Sequence, residues 1–91
     1  MPRPQIRRRI RGRFPADYFK PAGIPLRELS EISLRSDEVE ALRLKNCQKL
    51  DQTSAAAKMK ISQSTFQRIL ARAHEKIATA ICTGKAIRIE K

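Results

Sequence analysis

Ninety-one residues allow one small domain with a modest core, and 20 Lys and Arg against 9 Asp and Glu give a formal net charge of +11. That balance favours a polyanionic partner, nucleic acid or an anionic membrane surface. No stretch approaches the 18 or more apolar residues of a membrane span and no signal-peptide core opens the chain, so a cytoplasmic protein without a membrane-embedded segment is expected. The charge is segregated. Residues 1–27 hold eight basic and one acidic residue (+7), residues 28–51 four and six (−2), and residues 52–91 eight and two (+6). An acidic middle between two basic ends suits a helical scaffold with two segments facing nucleic acid.

Residues 1–13, MPRPQIRRRIRGR, carry six arginines and two isoleucines, too charged a composition to fold unaided. They read as a basic flexible arm, with Arg7, Arg8, Arg9 and Arg11 as phosphate or minor-groove contacts; the rival reading is a solvated tail. Phe14 to Leu26 holds three of the four aromatic residues and three of the five prolines. The prolines exclude a regular helix, while the aromatics predict an ordered strap that buries Phe14, Tyr18 and Phe19 against the helices. Stacking on unpaired bases is the functional alternative for this strap. Leu29, Ile32 and Leu34 suggest a short extended or single-turn segment.

Ser36 is the predicted cap of a first helix, with Asp37 and Glu38 beside the positive end of its dipole and Val39, Leu42 and Leu44 on its inner face. This helix should fade between Asn46 and Lys49. Asp51 and Ser62 are then placed to cap two more helices, Gln52 to about Met59 and Gln63 to about Cys82, with Gly84 as the left-handed terminator. The turn Lys60-Ile61-Ser62 joins them, with Lys60 where turns of this type often place Gly. Phe66, Ile69, Leu70, Ala73 and Ile77 recur at helical spacing, so Gln63, Ser64, Thr65, Gln67, Arg68 and Arg72 face away from the core. Amides and guanidinium groups pair bidentately with purine edges in the major groove, which is the chemistry a reading helix needs. An antiparallel helical hairpin with a solvated outer face fits the same spacing. The tail Ala86 to Glu90 alternates as a strand, to be paired with the 29–34 segment or with a second chain.

These elements predict a mainly α fold. Its parts are a basic arm (1–13), an irregular Pro/aromatic strap with a short extended segment (14–35), a three-helix helix-turn-helix domain (36–83) and a C-terminal strand or tail (84–91). The opening MPRP, the strap YFKPAGIPLREL, the helix DEVEALRL, the segment STFQRIL and the close GKAIRIE together resemble a bacterial and archaeal family of predicted DNA-binding proteins. The helix-turn-helix of that family is similar to the fourth region of sigma factors. The resemblance implies a small DNA-binding, regulatory protein. Three positions depart from the family pattern, which has cysteine in the segment matching Arg9 to Arg11, acidic residues at Thr53 and Ser54, and Gly at Lys60.

Cys47 and Cys82 lack a CxxC spacing, so neither a zinc site nor a disulfide is implied. His74, the only histidine, falls beside the apolar stripe of the last helix, and the carboxylates sit mainly at helix starts and exposed positions. No Gly-rich phosphate loop is present, so neither an enzyme nor a bound cofactor is expected. The expected function is double-stranded DNA binding in transcription through Lys60, Gln63, Ser64, Thr65, Gln67, Arg68 and Arg72, joined by the arm arginines. Structured RNA binding, ribosome association and a protein-interaction adaptor are the alternatives. One short reading helix spans few base pairs, so a homodimer is expected, joined through Ile77, Ile81 and the strand Ile87 to Ile89. The sequence names no small-molecule effector.

Overall fold

A computed structural model describes residues 17–90; the arm with Arg7, Arg8, Arg9 and Arg11, and Phe14 of the strap, lie outside the described residues. In chain order the elements are β1 (Tyr18–Phe19), a 3₁₀ turn (Leu26–Glu28), β2 (Glu31–Leu34), α1 (Ser36–Leu42) running into a π-helical turn (Arg43–Cys47), α2 (Gln52–Met59), α3 (Gln63–Thr83) and β3 (Ala86–Ile89). The described chain is thus mainly helical, with three α-helices and a three-stranded sheet.

Helix starts follow local chemistry at α2 and α3. Asp51 Oδ1 accepts the Ser54 N–H at 2.7 Å, and Ser62 Oγ accepts the Thr65 N–H at 3.1 Å. At α1 the expected cap is displaced. Ser36 is already helical and Arg35 holds the cap position, its N–H donating to Glu38 Oε1 at 2.9 Å. The N3 carboxylate reaches back to satisfy the entering N–H, so no cap hydroxyl is required.

A residue in the left-handed region follows the π-helical turn and each of α2 and α3: Lys49 at φ 60°, Lys60 at φ 61° and Gly84 at φ 71°. The reversals let Leu50 N–H bond the Leu44 carbonyl, Ile61 N–H the Ala56 carbonyl and Lys85 N–H the Ala80 carbonyl. Leu50 and Ile61, directly after the two lysines, pack against the core and so tie each reversal to it.

The core between the helices is Ala41, Leu44, Ala55, Ala56, Phe66, Ile69 and Leu70. Three alanines at one junction let the helix axes approach closely around the single large Phe66 ring. The expected inner face of α1 is corrected in part: Leu44 is buried, Val39 and Leu42 are half-buried, and Ala41 with Glu38 takes the inner stripe. Glu38 can sit inward because a lysine from α3 meets it there.

The sheet runs β1–β3–β2, with β3 antiparallel to β1 and parallel to β2. The expected partner of the C-terminal strand is therefore the segment within its own chain, with Ile32 beside Ile87 and Leu34 beside Ile89. The strap departs from expectation. Tyr18 and Phe19 pair with the free edge of β3 rather than packing on the helices, and Phe19 stays 54% exposed. A central strand has two rows of backbone groups to satisfy, and β1 satisfies the row of β3 that β2 leaves open. The three strands are clasped by Tyr18, Arg88 and Glu31. Arg88 lies over the Tyr18 ring, 4.7 Å from its centroid, and donates to both Glu31 oxygens at 3.0 and 2.9 Å. The Tyr18 hydroxyl donates to Glu31 Oε2 at 2.8 Å.

Candidate functional site

Ser62 organises the N-terminal turn of α3. Besides accepting from the Thr65 N–H, its hydroxyl donates to Thr65 Oγ1 at 2.9 Å and lies 3.3 Å from Ser64 Oγ. Thr65 is consequently half-buried and engaged, while Gln63 and Ser64 are exposed. Further along, α3 buries Phe66, Ile69, Leu70 and Ala73. At 3.6 residues per turn, Ser64 and Arg68 fall opposite that stripe and face outward together.

The other predicted positions diverge around the helix. Gln67 turns toward α2 and donates to Gln52 Oε1 at 2.7 Å while remaining exposed. Arg72 turns toward α1, where its Nη1 lies 3.9 Å from Glu38 Oε2 with half of its side chain exposed. Lys60 is exposed at the reversal between α2 and α3. Gln63, Ser64, Arg68 and Lys60 thus share one end of the two-helix unit, with Gln67 on one flank and Arg72 on the other.

The charges at this end are uncompensated. Lys58, Lys60 and Arg68 make no ion pair or side-chain hydrogen bond among the described residues, whereas Arg43 is paired with Glu40 and Arg88 with Glu31. The Glu40 carboxylate holds the Arg43 pKa above its usual value, and Glu31 does the same for Arg88. Glu75 is exposed two turns beyond Arg68 on the same side, so the basic face is confined to the first half of α3. Asp51, at the other end of α2, is occupied as a cap, and the Ser54 N–H that it accepts holds its carboxyl below the ordinary range.

Three participants escaped the sequence reading. Lys49 occupies a second left-handed reversal, at the far end of α2 from Lys60, and is exposed. Gln52 holds Gln67. Glu38, expected in the first turn of the helix beside the positive end of its dipole, is there and is also completely buried. The i, i+3, i+6 row Glu38-Ala41-Leu44 is a signal that could have found it. His74 is exposed and bonded to Asn46 at 3.0 Å, and Cys47 and Cys82 are free and exposed. Among the described residues no three potential metal ligands converge, and no helix is long and apolar enough to cross a membrane.

A family model described as "Protein of unknown function DUF134" matches residues 1–91. Over 90 residues, 99% of this chain, the sequence is 51% identical to a UPF0251 protein of Moorella thermoacetica and 50% identical to one of Halothermothrix orenii. Those alignments cover 60% and 67% of the respective relatives, so the chain spans about three fifths to two thirds of their length. A UPF0251 protein of Shewanella sediminis is 49% identical over 87 residues, covering 96% of this chain and 91% of the relative. No solved structure matches the chain significantly.

Proposed function

The chain belongs to the DUF134 family, and from that footing we propose that it is a double-stranded DNA-binding protein acting in transcription. In this reading α2 and α3 form a helix-turn-helix similar to that of sigma-factor region four, and the first half of α3 enters the major groove. The observation that carries it is the outward row at the start of α3. Ser64 and Arg68 stand exposed opposite a buried stripe, with Gln63 exposed at the helix start and with Gln67, Lys58 and Lys60 flanking them, the lysines' charges neutralised by no carboxylate of the described chain. Arg68 and Gln67 have the donor geometry for guanine and adenine edges, and the lysines suit phosphates. Arg72 falls outside this set because it faces Glu38. The basic arm, six arginines in residues 1–13, would add sequence-independent affinity.

The test is discrimination. Selection from a random duplex pool supplies a preferred site, and Arg68→Ala should then cost about 1–3 kcal/mol on it and much less on random duplex. Gln67→Ala should follow the same pattern more weakly, since Gln52 already holds its amide. Folded variants that keep full selectivity would show that α3 is not the reader, and tighter binding of structured RNA than of any duplex would replace DNA with RNA as the partner.

A further inference from the structure

Glu38 is the only fully buried charged side chain among the described residues. Its Oε1 accepts two bonds, from the Arg35 N–H at 2.9 Å and from the Lys76 ammonium at 2.8 Å. Lys76 also donates to the Ser33 carbonyl at 2.8 Å, which fixes it between α1 and β2. Oε2 is different: buried as completely, it has no hydrogen-bond partner among the described residues. An orphaned carboxylate oxygen is costly, and the nearest charged donor beyond Lys76 is Arg72 Nη1 at 3.9 Å, about 1 Å short of a hydrogen bond.

We propose that Glu38 is a specificity-determining positioning residue, which holds Arg72 off the polyanion so that α3 presents Arg68 as its one free guanidinium. The inference rests on the DNA-binding reading above. Arg72 follows Arg68 by one helical turn, and if both reached phosphates they would strengthen binding to every duplex alike. Glu38 opposes this. Moving Arg72 outward would strip Oε2 of the one cation besides Lys76 that stands near it in a site with no solvent exposure, whereas Arg68 has no acceptor to leave. Lys76 balances the single charge of the carboxylate but bonds it at Oε1 only, so Oε2 is left as an unfilled acceptor facing Arg72 while the three groups together stay net positive.

The experiment measures binding of the full chain to the preferred duplex selected above as a function of salt. Arg68→Ala should make the slope of log affinity against log salt shallower by nearly 1, whereas Arg72→Ala should leave it unchanged. Glu38→Gln keeps an acceptor for Arg35 and Lys76 but turns an amide toward Arg72. It should steepen the slope by nearly 1, an extra loss of about threefold between about 50 and 200 mM salt, and adding Arg72→Ala should remove that gain. Arg72→Ala lowering the slope as much as Arg68→Ala overturns the inference, as does a folded Glu38→Gln protein with the wild-type slope. Where Glu38→Gln fails to fold, the two arginine variants decide. No effect from Arg68→Ala overturns the DNA reading itself, and this inference with it.

Discussion

Phe66 has no exposed surface and, among the described residues, is the only aromatic ring in the core, with alanines from α1 and α2 close around it. Alanine neighbours cannot swing into a void, so Phe66→Ala should cost about 3–5 kcal/mol. Urea unfolding with an unchanged slope checks this, and a loss below about 1 kcal/mol would show that the helices collapse onto the cavity. Asp51 makes a prediction of another kind. The Ser54 N–H holds its folded-state pKa below the unfolded value, so its stabilisation is present above the unfolded pKa and is lost as pH falls through the folded one. Asp51→Asn keeps a cap acceptor without the titration. Thermal midpoints of the variant should therefore fall less steeply than wild type on acidification below the ordinary carboxylate range. Parallel curves would place the acid sensitivity elsewhere, with Glu31, also depressed through its Arg88 and Tyr18 bonds, as the next candidate.

The connection between α2 and α3 shows most clearly what local sequence dictates. Lys60 sits at φ 61°, a conformation that costs a side-chain-bearing residue about 1–2 kcal/mol and glycine almost nothing. Glycine also loses more entropy on folding, so Lys60→Gly should stabilise the protein by only about 0.5 kcal/mol while making the salt slope for duplex binding shallower by nearly 1. Denaturation and salt titration of one preparation check both, and a variant neither stabilised nor altered in slope would remove strain and phosphate contact together. The caps Asp51 and Ser62, the terminator Gly84, the misfit at Lys60 and the stripe of α3 were legible because each depends on residues within about one helical turn of it. The β1 strand was not, since two residues have no period and pair only because β3 offers an edge across 68 residues of chain, Phe19 to Ile87. For Glu38 the row with Ala41 and Leu44 marked an inward position, but the counterion that permits its burial, Lys76, lies 38 residues away and was hidden for the same reason. In the candidate site the exposed positions were legible, but the engagement of Gln67 by Gln52 and of Arg72 by Glu38 depends on how neighbouring helices pack.

At the scale of the whole molecule, α3 is much longer than the helix it pairs with. Its 21 residues span about 30 Å at about 1.5 Å each, against about 12 Å for the 8 residues of α2. The second half of α3 therefore runs past α2, and there Ile77 is half-buried while Ile81 is 73% exposed. That half has lost the basic character of the first, since Glu75 is exposed there, Lys76 is spent on Glu38, and no charged residue follows Lys76 in the helix. On the proposed reading, two copies joined through these turns would leave both basic ends outward, able to reach half-sites about 34 Å apart or a multiple of that distance. Ile81→Glu puts two like charges together across a twofold contact and disturbs no buried residue of its own chain. It should convert dimer to monomer in sedimentation or light scattering without lowering the thermal midpoint of the monomer, and should weaken binding to a two-half-site duplex far more than to a single half-site. A wild-type chain that is monomeric both free and on the two-half-site duplex would leave recognition to one copy, with the arm supplying the remaining affinity. Deleting residues 2–13 would then weaken single-site binding as strongly as Arg68→Ala does.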